Sequence, residues 1–393
     1  MSATSLAGIT VLDMTRYLPG GYTTQAFADL GADVIKIEEM SKGDFCRGDD
    51  PKIDGVSYYF TALCRNKRSL SLNLKTHEGK GIFKRLAKEA DIVIENFRPG
   101  VMERLGIDYE TIKNINPRII YCSLTAYGQE NPDSLKASHD INLQSLSGYL
   151  SLNGKRLTPL HLCDVATGMV AIQGVFLALF QRESTGKGQN VDVSMFDSFM
   201  WWMSLLYSRY HFQDSHVTEE TLEYPAFCYN IYETKDKQQL AFGMVEANFW
   251  ERFCLENNRP EFISKHMLRK HEDEEAWKHM EDFVAERTLA EWMDWLEGRD
   301  MCITPVKTIH EAVQDIIAKG SDMLAYNEYP RVGKVLQTGI PIRFSGEPAS
   351  LKDSTPPPPL GADNRAVLEK AGFSRGEIER FIAMNVIGQQ ELT

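Results

Sequence analysis

The sequence predicts an α/β fold: a doubly wound layer on a parallel sheet, with a smaller α+β domain. Three observations support it. From Gly8 to Gly128, short apolar strands alternate with amphipathic helices. The chain has 393 residues, more than one hydrophobic core usually serves. Past about Tyr224 the alternation stops, and helices rich in tryptophan and charge take over.

The elements follow in order. "GITVLDMT", Gly8 to Thr15, reads as a buried strand, Ile-Val-Leu bounded by glycine and polar residues. "LPGGYTTQAFADLGA" is a glycine-containing turn and then a helix, and "DVIKIEE" is a second strand. Strand, helix and strand at this spacing make a βαβ unit with parallel strands. "EGKGIFKRLAKEA" is a helix with Ile82, Phe83 and Leu86 on one face. "DIVIENF" and "RIIYCSLTAYG" are further strands. "VATGMVAIQGVFLALFQRES" is a strongly apolar helix whose Gly168 and Gly174 cost propensity and are expected to allow close packing. "TGKGQNVDVSMFDSFMWWMSLLYSRYHF" gives a glycine loop, an alternating strand and an aromatic-rich helix. The smaller domain is placed at 224–330. There "FCYNIYETKDKQQLAFGMV" reads as a hairpin turning at "TKDKQ". "EANFWERFCLEN" and "DEEAWKHMEDFVAERTLAEWMDWLEGRD" read as amphipathic helices. "STPPPPLGADNR" is a stiff connector. "NRAVLEKAGFSRGEIERFIAMNVI" closes the sequence with helices, Ser374 serving as an N-cap.

Composition excludes several classes. Net charge is -12, which argues against nucleic acid as a partner and still permits a local basic pocket. The start, "MSATSLAGITVLDMTRYLPGG", lacks a basic region followed by a long apolar run, so no signal peptide is expected. The most apolar stretch, Met169 to Phe180, is too short for a bilayer and contains Gln173, so no membrane association is expected. The seven cysteines are scattered without CxxC spacing. They read as free thiols in a cytoplasmic protein, with neither a disulfide frame nor a metal site. "LPGG" is no GxGxxG fingerprint, although Glu38 ends the second strand where a ribose-binding acid would sit; a nicotinamide site is not expected.

Three titratable positions stand in suggestive contexts. Asp164 interrupts "LHLCDVATGMVAIQG" just before the apolar helix. It reads as an N-cap, or as a carboxylate at the positive end of a helix dipole facing a cleft; the two readings are compatible. His139 and Asp140 precede "INLQSLSGYL". Asp140 reads as the cap there, and His139 as a surface histidine or a catalytic group. Glu246 lies between a strand end and a helix start in "FGMVEANFW", where an acid is ordinary dipole complementarity. Basic residues cluster ahead of these acids: Arg65, Lys67, Arg68 and Lys75, then Arg98 and Arg104. A solvated face is the usual explanation. In an acidic chain the surplus also suits a phosphorylated small ligand.

Blocks over most of the chain resemble the class III CoA-transferase family, also called CaiB/BaiF. They are "ADLGADVIKIE", "CRNKRSLSLNLKTHEGKGIF", "ADIVIENFRPGVMERLG", "INPRIIYCSLTAYGQ" and "ESTGKGQNVDVSMFD", in family order, with "CYNIYETKDKQQLAFG" and "CITPV" later. The resemblance implies a large Rossmann-like domain without a nucleotide fingerprint (1–223), the small domain (224–330), and a segment 331–393 that returns to the large one. It implies an obligate homodimer of interlocked chains and an active site between the domains; a heteromer with a related subunit is the alternative assembly. Coenzyme A enters as part of an acyl-CoA substrate, and no cofactor is permanently bound. For CoA contacts the resemblance suggests Asn96, Arg98 and Arg104, with Lys136, Lys36 and Arg65 as further positions.

The family holds two chemistries. In its transferases an aspartate matching Asp164 attacks the acyl thioester. A mixed anhydride forms, then an aspartyl-CoA thioester, and CoA passes to another carboxylate. In the α-methylacyl-CoA racemase branch the same aspartate is one base. A histidine on the opposite face of the α-carbon is the other, and a glutamate orients it. "SHDIN" resembles the racemase block "GHDIN" and places that histidine at His139; "VEANFW" resembles the glutamate block at Glu246. The expectation is racemisation of a 2-methyl-branched acyl-CoA by His139 and Asp164. The alternative is CoA transfer with Asp164 as nucleophile, and a distant one is a non-catalytic acyl-CoA-binding subunit. Racemisation requires amide donors at the enolate oxygen and an aspartate whose pKa is raised by partial burial.

Overall fold

In β1 (Thr10–Asp13) successive side chains point to opposite faces, and both faces are dry: Val11 and Leu12 are each fully buried. That is the signature of a central strand in a covered parallel sheet. A computed structural model describes residues 5–213, 217–218, 221–222, 224–345 and 354–389. The chain divides into two compact units, Met1–Tyr207 with Gly320–Thr393, and Ser208–Lys319.

The larger unit is built on β1, β2 (Asp33–Glu38), β3 (Lys67–Ser71), β4 (Ile92–Glu95), β5 (Ile120–Thr125) and β6 (Asn190–Ser194). Their spatial order is β3-β2-β1-β4-β5-β6, and every pairing is parallel. The order reverses between β1 and β4, the kind of switch point where open α/β sheets bind ligands beyond the strands' carboxyl ends. The helices used below are α1 (Gly20–Asp29), α2 (Tyr58–Leu63), α3 (His77–Glu89), α4 (Val101–Leu105), α5 (Asp140–Leu146) and α6 (Leu162–Thr185). Leu12, Ile35, Leu70 and Val93 pack with Ile82, Phe83 and Leu86 of α3 and with Leu368 and Phe381 near the chain's end. On the other face Val11, Val34 and Ile92 pack with Phe27 of α1 and Ala171, Val175 and Ala178 of α6. The expected α/β layer on a parallel sheet is therefore present.

Helix α6 is longer than the apolar stretch Met169 to Phe180 suggested. Its 24 residues are enough, by length and composition, to cross a membrane. One side of it belongs to the sheet's core, while Leu177 and Phe180 are exposed. Its glycines act as expected. A Cβ on Gly168 would stand 2.8 Å from the Tyr22 ring, and one on Gly174 would stand 3.0 Å from a Val191 methyl.

The smaller unit has an antiparallel sheet of β7 (Tyr229–Glu233), β8 (Gln239–Gly243) and β9 (Ile303–Pro305), ordered β9-β8-β7. The "TKDKQ" hairpin is thus present. Helices α7 (Ala247–Glu256), α8 (Glu274–Val284) and α9 (Leu289–Leu296) cover the sheet with Trp250, Phe253, Trp277, Phe283 and Trp292. The buried indoles of Trp250 and Trp292 donate to the Phe262 and Val284 carbonyls at 2.8 and 2.9 Å.

Two sequence-based expectations shift. The return segment begins at Gly320, not 331, because the hairpin of β10 (Leu324–Tyr329) and β11 (Gly333–Thr338) belongs to the larger unit. Arg65 ties it there, donating to Gln337 Oε1 at 2.6 Å and to the Thr338 carbonyl at 2.8 Å. The earlier boundary moves from 223 to Ser208; residue 223 itself lies outside the described residues. The basic block "LCRNKRSLSLNLK", read for its charge, also contains strand β3. Near the C-terminus, Ser374 does cap its helix, accepting from the Glu377 N–H at 3.3 Å.

Candidate active site

The carboxyl end of β1 carries a buried ionic cluster. Asp13 accepts from the Thr15 N–H (2.9 Å), Thr15 Oγ1 (2.6 Å), Thr24 Oγ1 (2.7 Å) and Lys67 Nζ (3.1 Å). Burial opposes its ionisation, but the Lys36 and Lys67 ammoniums overcome burial and hold the carboxyl well below the usual range. Lys36 is fully buried. Its Nζ lies 2.8 Å from Asp44 and 3.7 Å from Asp13, and donates to the Thr15 carbonyl at 2.8 Å. Of its three N–H donors, Asp44 and the Thr15 carbonyl engage two, Asp13 adds its charge from 3.7 Å, and full burial keeps a ligand from reaching the group. The expectation that Lys36 binds CoA is corrected on that ground. Arg65 is corrected likewise: it is buried and paired with Asp29, besides its bonds to Gln337 and Thr338. Glu38 is also engaged, by Arg47 and Ser69, and is not free for a ribose.

This cluster fixes the loop that leaves β1. Arg16 is held by Asn96, whose Oδ1 accepts the Arg16 N–H at 2.9 Å and whose Nδ2 donates to the Arg16 carbonyl at 2.7 Å. The Arg16 guanidinium lies over the rings of Phe45 and Phe97, 4.6 and 5.3 Å from their centroids. Arg16, Lys75, Phe97, Val101 and Leu105 help line a cleft of about 460 Å³ beyond the ends of β1 and β2. Arg98 and Arg104 sit on the same loop and helix α4, and both are exposed. Lys136 is exposed and pairs with Asp133 at 2.8 Å.

Asp164 lies in the first turn of α6, whose N-cap residue is His161. The cap comes from another helix. Asp140, buried at the start of α5, accepts the Cys163 and Asp164 N–H groups through Oδ1 at 2.7 and 3.3 Å. Its Oδ2 accepts from Gln144 Nε2 at 2.5 Å. So neither aspartate caps its own helix: Asp140 caps α6 and leaves the Asp164 carboxyl without that duty. Burial first, and then the charge of Asp140, push the Asp164 pKa up to about 7. No cation among the described residues offsets these effects. Tyr59 of α2 is near enough that the Asp164 charge, added to burial, raises its phenol.

The sequence reading missed His161. Its Nδ1 lies 3.9 Å from Asp140 Oδ2, and Asp140, His161 and Asp164 bring titrating atoms within 4.8 Å of one another. Both Asp140 oxygens already accept N–H donors, so the trio suits proton traffic better than gripping a cation. The available signal was spacing: a histidine three positions before Asp164, the N-cap-to-N3 relation of a helix start. His139 is the exposed N-cap residue of α5, with its N–H donated to Asn142 Oδ1 at 3.0 Å. It adjoins Asp140, and so joins the same region. Glu246 is the exposed N-cap residue of α7 in the smaller unit, where its side chain makes no cap hydrogen bond.

Asp140→Asn provides a direct check on the electrostatics. Asparagine keeps an oxygen for the Cys163 N–H but removes the charge that lifts Asp164. The acidic limb of the pH profile of kcat/KM should move to lower pH. A limb that stays in place would show that this charge does not govern Asp164.

The sequence model of CoA-transferase family III matches residues 6–364. The chain belongs to that family. Succinyl-CoA:glutarate CoA-transferase of Mus musculus is 30% identical to it, over 98% of this chain and 91% of its own. The alpha-methylacyl-CoA racemase of Homo sapiens is 31% identical, over 98% and 97%. Formyl-CoA:oxalate CoA-transferase of Escherichia coli is 32% identical, over 96% and 98%. Among solved structures, a CaiB/BaiF family protein from Brucella suis superposes with a TM-score of 0.83 at 26% identity, covering 94% of this chain and 100% of that one. This family III chain is an enzyme, and its kind works on CoA thioesters by transfer or by racemisation.

Proposed function

We propose that this family III enzyme racemises a 2-methylacyl-CoA at the α-carbon, with Asp164 and His139 as its two bases. One observation carries the reading: the Asp164 carboxyl is pushed up to about 7, so near neutrality it can both take a proton and release one. The ionised Asp164 removes the α-proton from one face and becomes a carboxylic acid. The resulting enolate takes a proton on the opposite face from protonated His139, which becomes neutral. Glu246 is the proposed orienting group for His139. Similarity to a racemase over nearly the whole length of both chains supports this reading.

The CoA nucleotide is proposed to occupy the cleft beyond β1 and β2. Arg16 and Lys75 bring charge there and Phe97 an aromatic face. Arg98 and Arg104 are proposed for the phosphates, with Lys136 as a further contact and Asn96 acting through Arg16. Arg104→Ala should raise the KM for acyl-CoA about tenfold, the loss of one charge-assisted hydrogen bond, with kcat little changed. An unchanged KM removes Arg104 from the site. CoA arrives as part of the substrate, and no resident cofactor is proposed.

A second copy of the chain is the proposed partner. Leu177, Phe180, Trp201 and Leu205 are 62–83% exposed, an apolar surface of the sort that subunits cover. Sedimentation as a monomer at micromolar concentration would remove this part of the reading. The free cysteines, six of them buried, fit the proposed cytoplasmic location.

The second reading is CoA transfer between carboxylic acids with Asp164 as nucleophile. It is favoured by transferases matched at the same level as the racemase. Incubation of a 2-methylacyl-CoA in D2O separates the two. Deuterium at the α-carbon without any acceptor acid supports racemisation. Transfer that needs an acceptor, without α-exchange, supports the second reading.

A further inference from the structure

We propose that His161 is the proton outlet of Asp164, the side chain through which that carboxyl exchanges with bulk water between turnovers. The inference rests on the racemase reading. A two-base racemase does not return to its starting state when product leaves. Asp164 begins ionised and ends protonated; His139 begins protonated and ends neutral. Before another substrate of the same hand can react, one proton must leave Asp164 and one must reach His139.

His139 is exposed and meets solvent directly. Asp164 is half-buried and needs a neighbour. Its neighbours differ in fitness for that task. Asp140 is buried with both oxygens accepting N–H groups. Tyr59, half-buried, and Cys163, buried, hold their protons more tightly than usual, chiefly through loss of solvent. His161 alone of this group carries an imidazole, the common proton-shuttling side chain, and is open to water, its side chain being 62% exposed. Its nearest ring nitrogen and an Asp164 oxygen lie within 4.8 Å, a gap that one water bridges. The proton leaves the Asp164 carboxyl for that water, which passes a proton to one imidazole nitrogen. The other ring N–H releases a proton to bulk solvent, and the ring is left neutral. Asp140, 3.9 Å from Nδ1, stabilises the imidazolium that forms in passing. No bond other than O–H and N–H bonds is made or broken.

His161→Asn tests the outlet in the full-length protein. Asparagine is among the best N-cap residues, so the start of α6 is preserved. The reset follows product release and therefore enters only the saturated rate. With a 2-methylacyl-CoA as substrate, kcat should fall about tenfold while kcat/KM stays unchanged, so that KM falls with kcat. Millimolar imidazole should restore kcat in the variant and leave the wild type unaffected. An unchanged kcat overturns the proposal. So does a kcat/KM that falls as far as kcat, or a variant indifferent to imidazole. Wild-type protein that places no solvent deuterium at the α-carbon overturns the racemase reading and the outlet with it. Normal wild-type exchange beside unaltered variant kinetics overturns the outlet alone.

Discussion

Asp164→Asn should lower α-exchange and racemisation by about 10²–10⁴-fold and yet make the folded chain more stable above neutral pH. The loss of rate follows from removing the group that takes the α-proton; an amide of the same size cannot take it. The gain in stability follows from where the carboxyl sits. Its pKa rises from 3.8 to about 7 on folding, through burial and the charge of Asp140. Between those values the folded state holds a proton that the unfolded state has released, so stability falls as pH rises. Above about 7 the whole penalty is present; below about 4 it is gone. Asparagine carries no such penalty. Melting curves of the two proteins should therefore separate at about pH 8, with the variant higher, and converge at about pH 4. A variant with full activity would give Asp164 a merely structural role and end the case for it as a base. A constant difference in Tm across that range would mean that Asp164 ionises freely and is unsuited to hold a proton during turnover.

The parts of the fold legible in the sequence are those set by local pattern. Strands β1, β2, β4 and β5 are apolar runs buried on both faces, and the glycines of α6 mark where it meets Tyr22 and Val191. Strand β3 was less legible because it opens on Lys67 and Arg68, whose charges suggest a solvated loop. Lys67 is in fact buried against Asp13, 54 positions away. Arg65 was misjudged for the same reason: Asp29 lies 36 positions from it, and the Thr338 carbonyl 273. Pairing at such separations is decided by tertiary placement, which periodicity does not encode. The site shows the same division. Asp164 was found because a carboxylate opening an apolar helix is a local anomaly. That Asp140 caps this helix from 23 residues away, and that His161 turns toward both, depend on how α5 meets α6.

The other large effect concerns Lys36, for which the two readings predict opposite results. If this lysine served a CoA phosphate, Lys36→Met would weaken acyl-CoA binding and leave folding untouched. The geometry predicts that folding suffers first. The variant leaves Asp44 without its cation at 2.8 Å, strips Asp13 of one of two, and frees the Thr15 carbonyl. Breaking a buried pair by removing one partner costs about 3–5 kcal/mol, a large share of a typical stability of about 5–15 kcal/mol. Urea unfolding at neutral pH measures the loss. Its pH dependence then identifies the cause. Folding lowers the pKa of both Asp13 and Asp44, so the stability they confer is present above the ordinary carboxylate range and is lost as pH falls through their folded values. In the variant those folded values rise, and acid protonates the stranded carboxylates earlier. The deficit relative to wild type should therefore shrink as the solution is acidified. Since Lys36 also grips the residue before Arg16, whatever folds should bind acyl-CoA more weakly, but as a consequence of a displaced loop. Normal unfolding together with a raised KM would return Lys36 to the binding site.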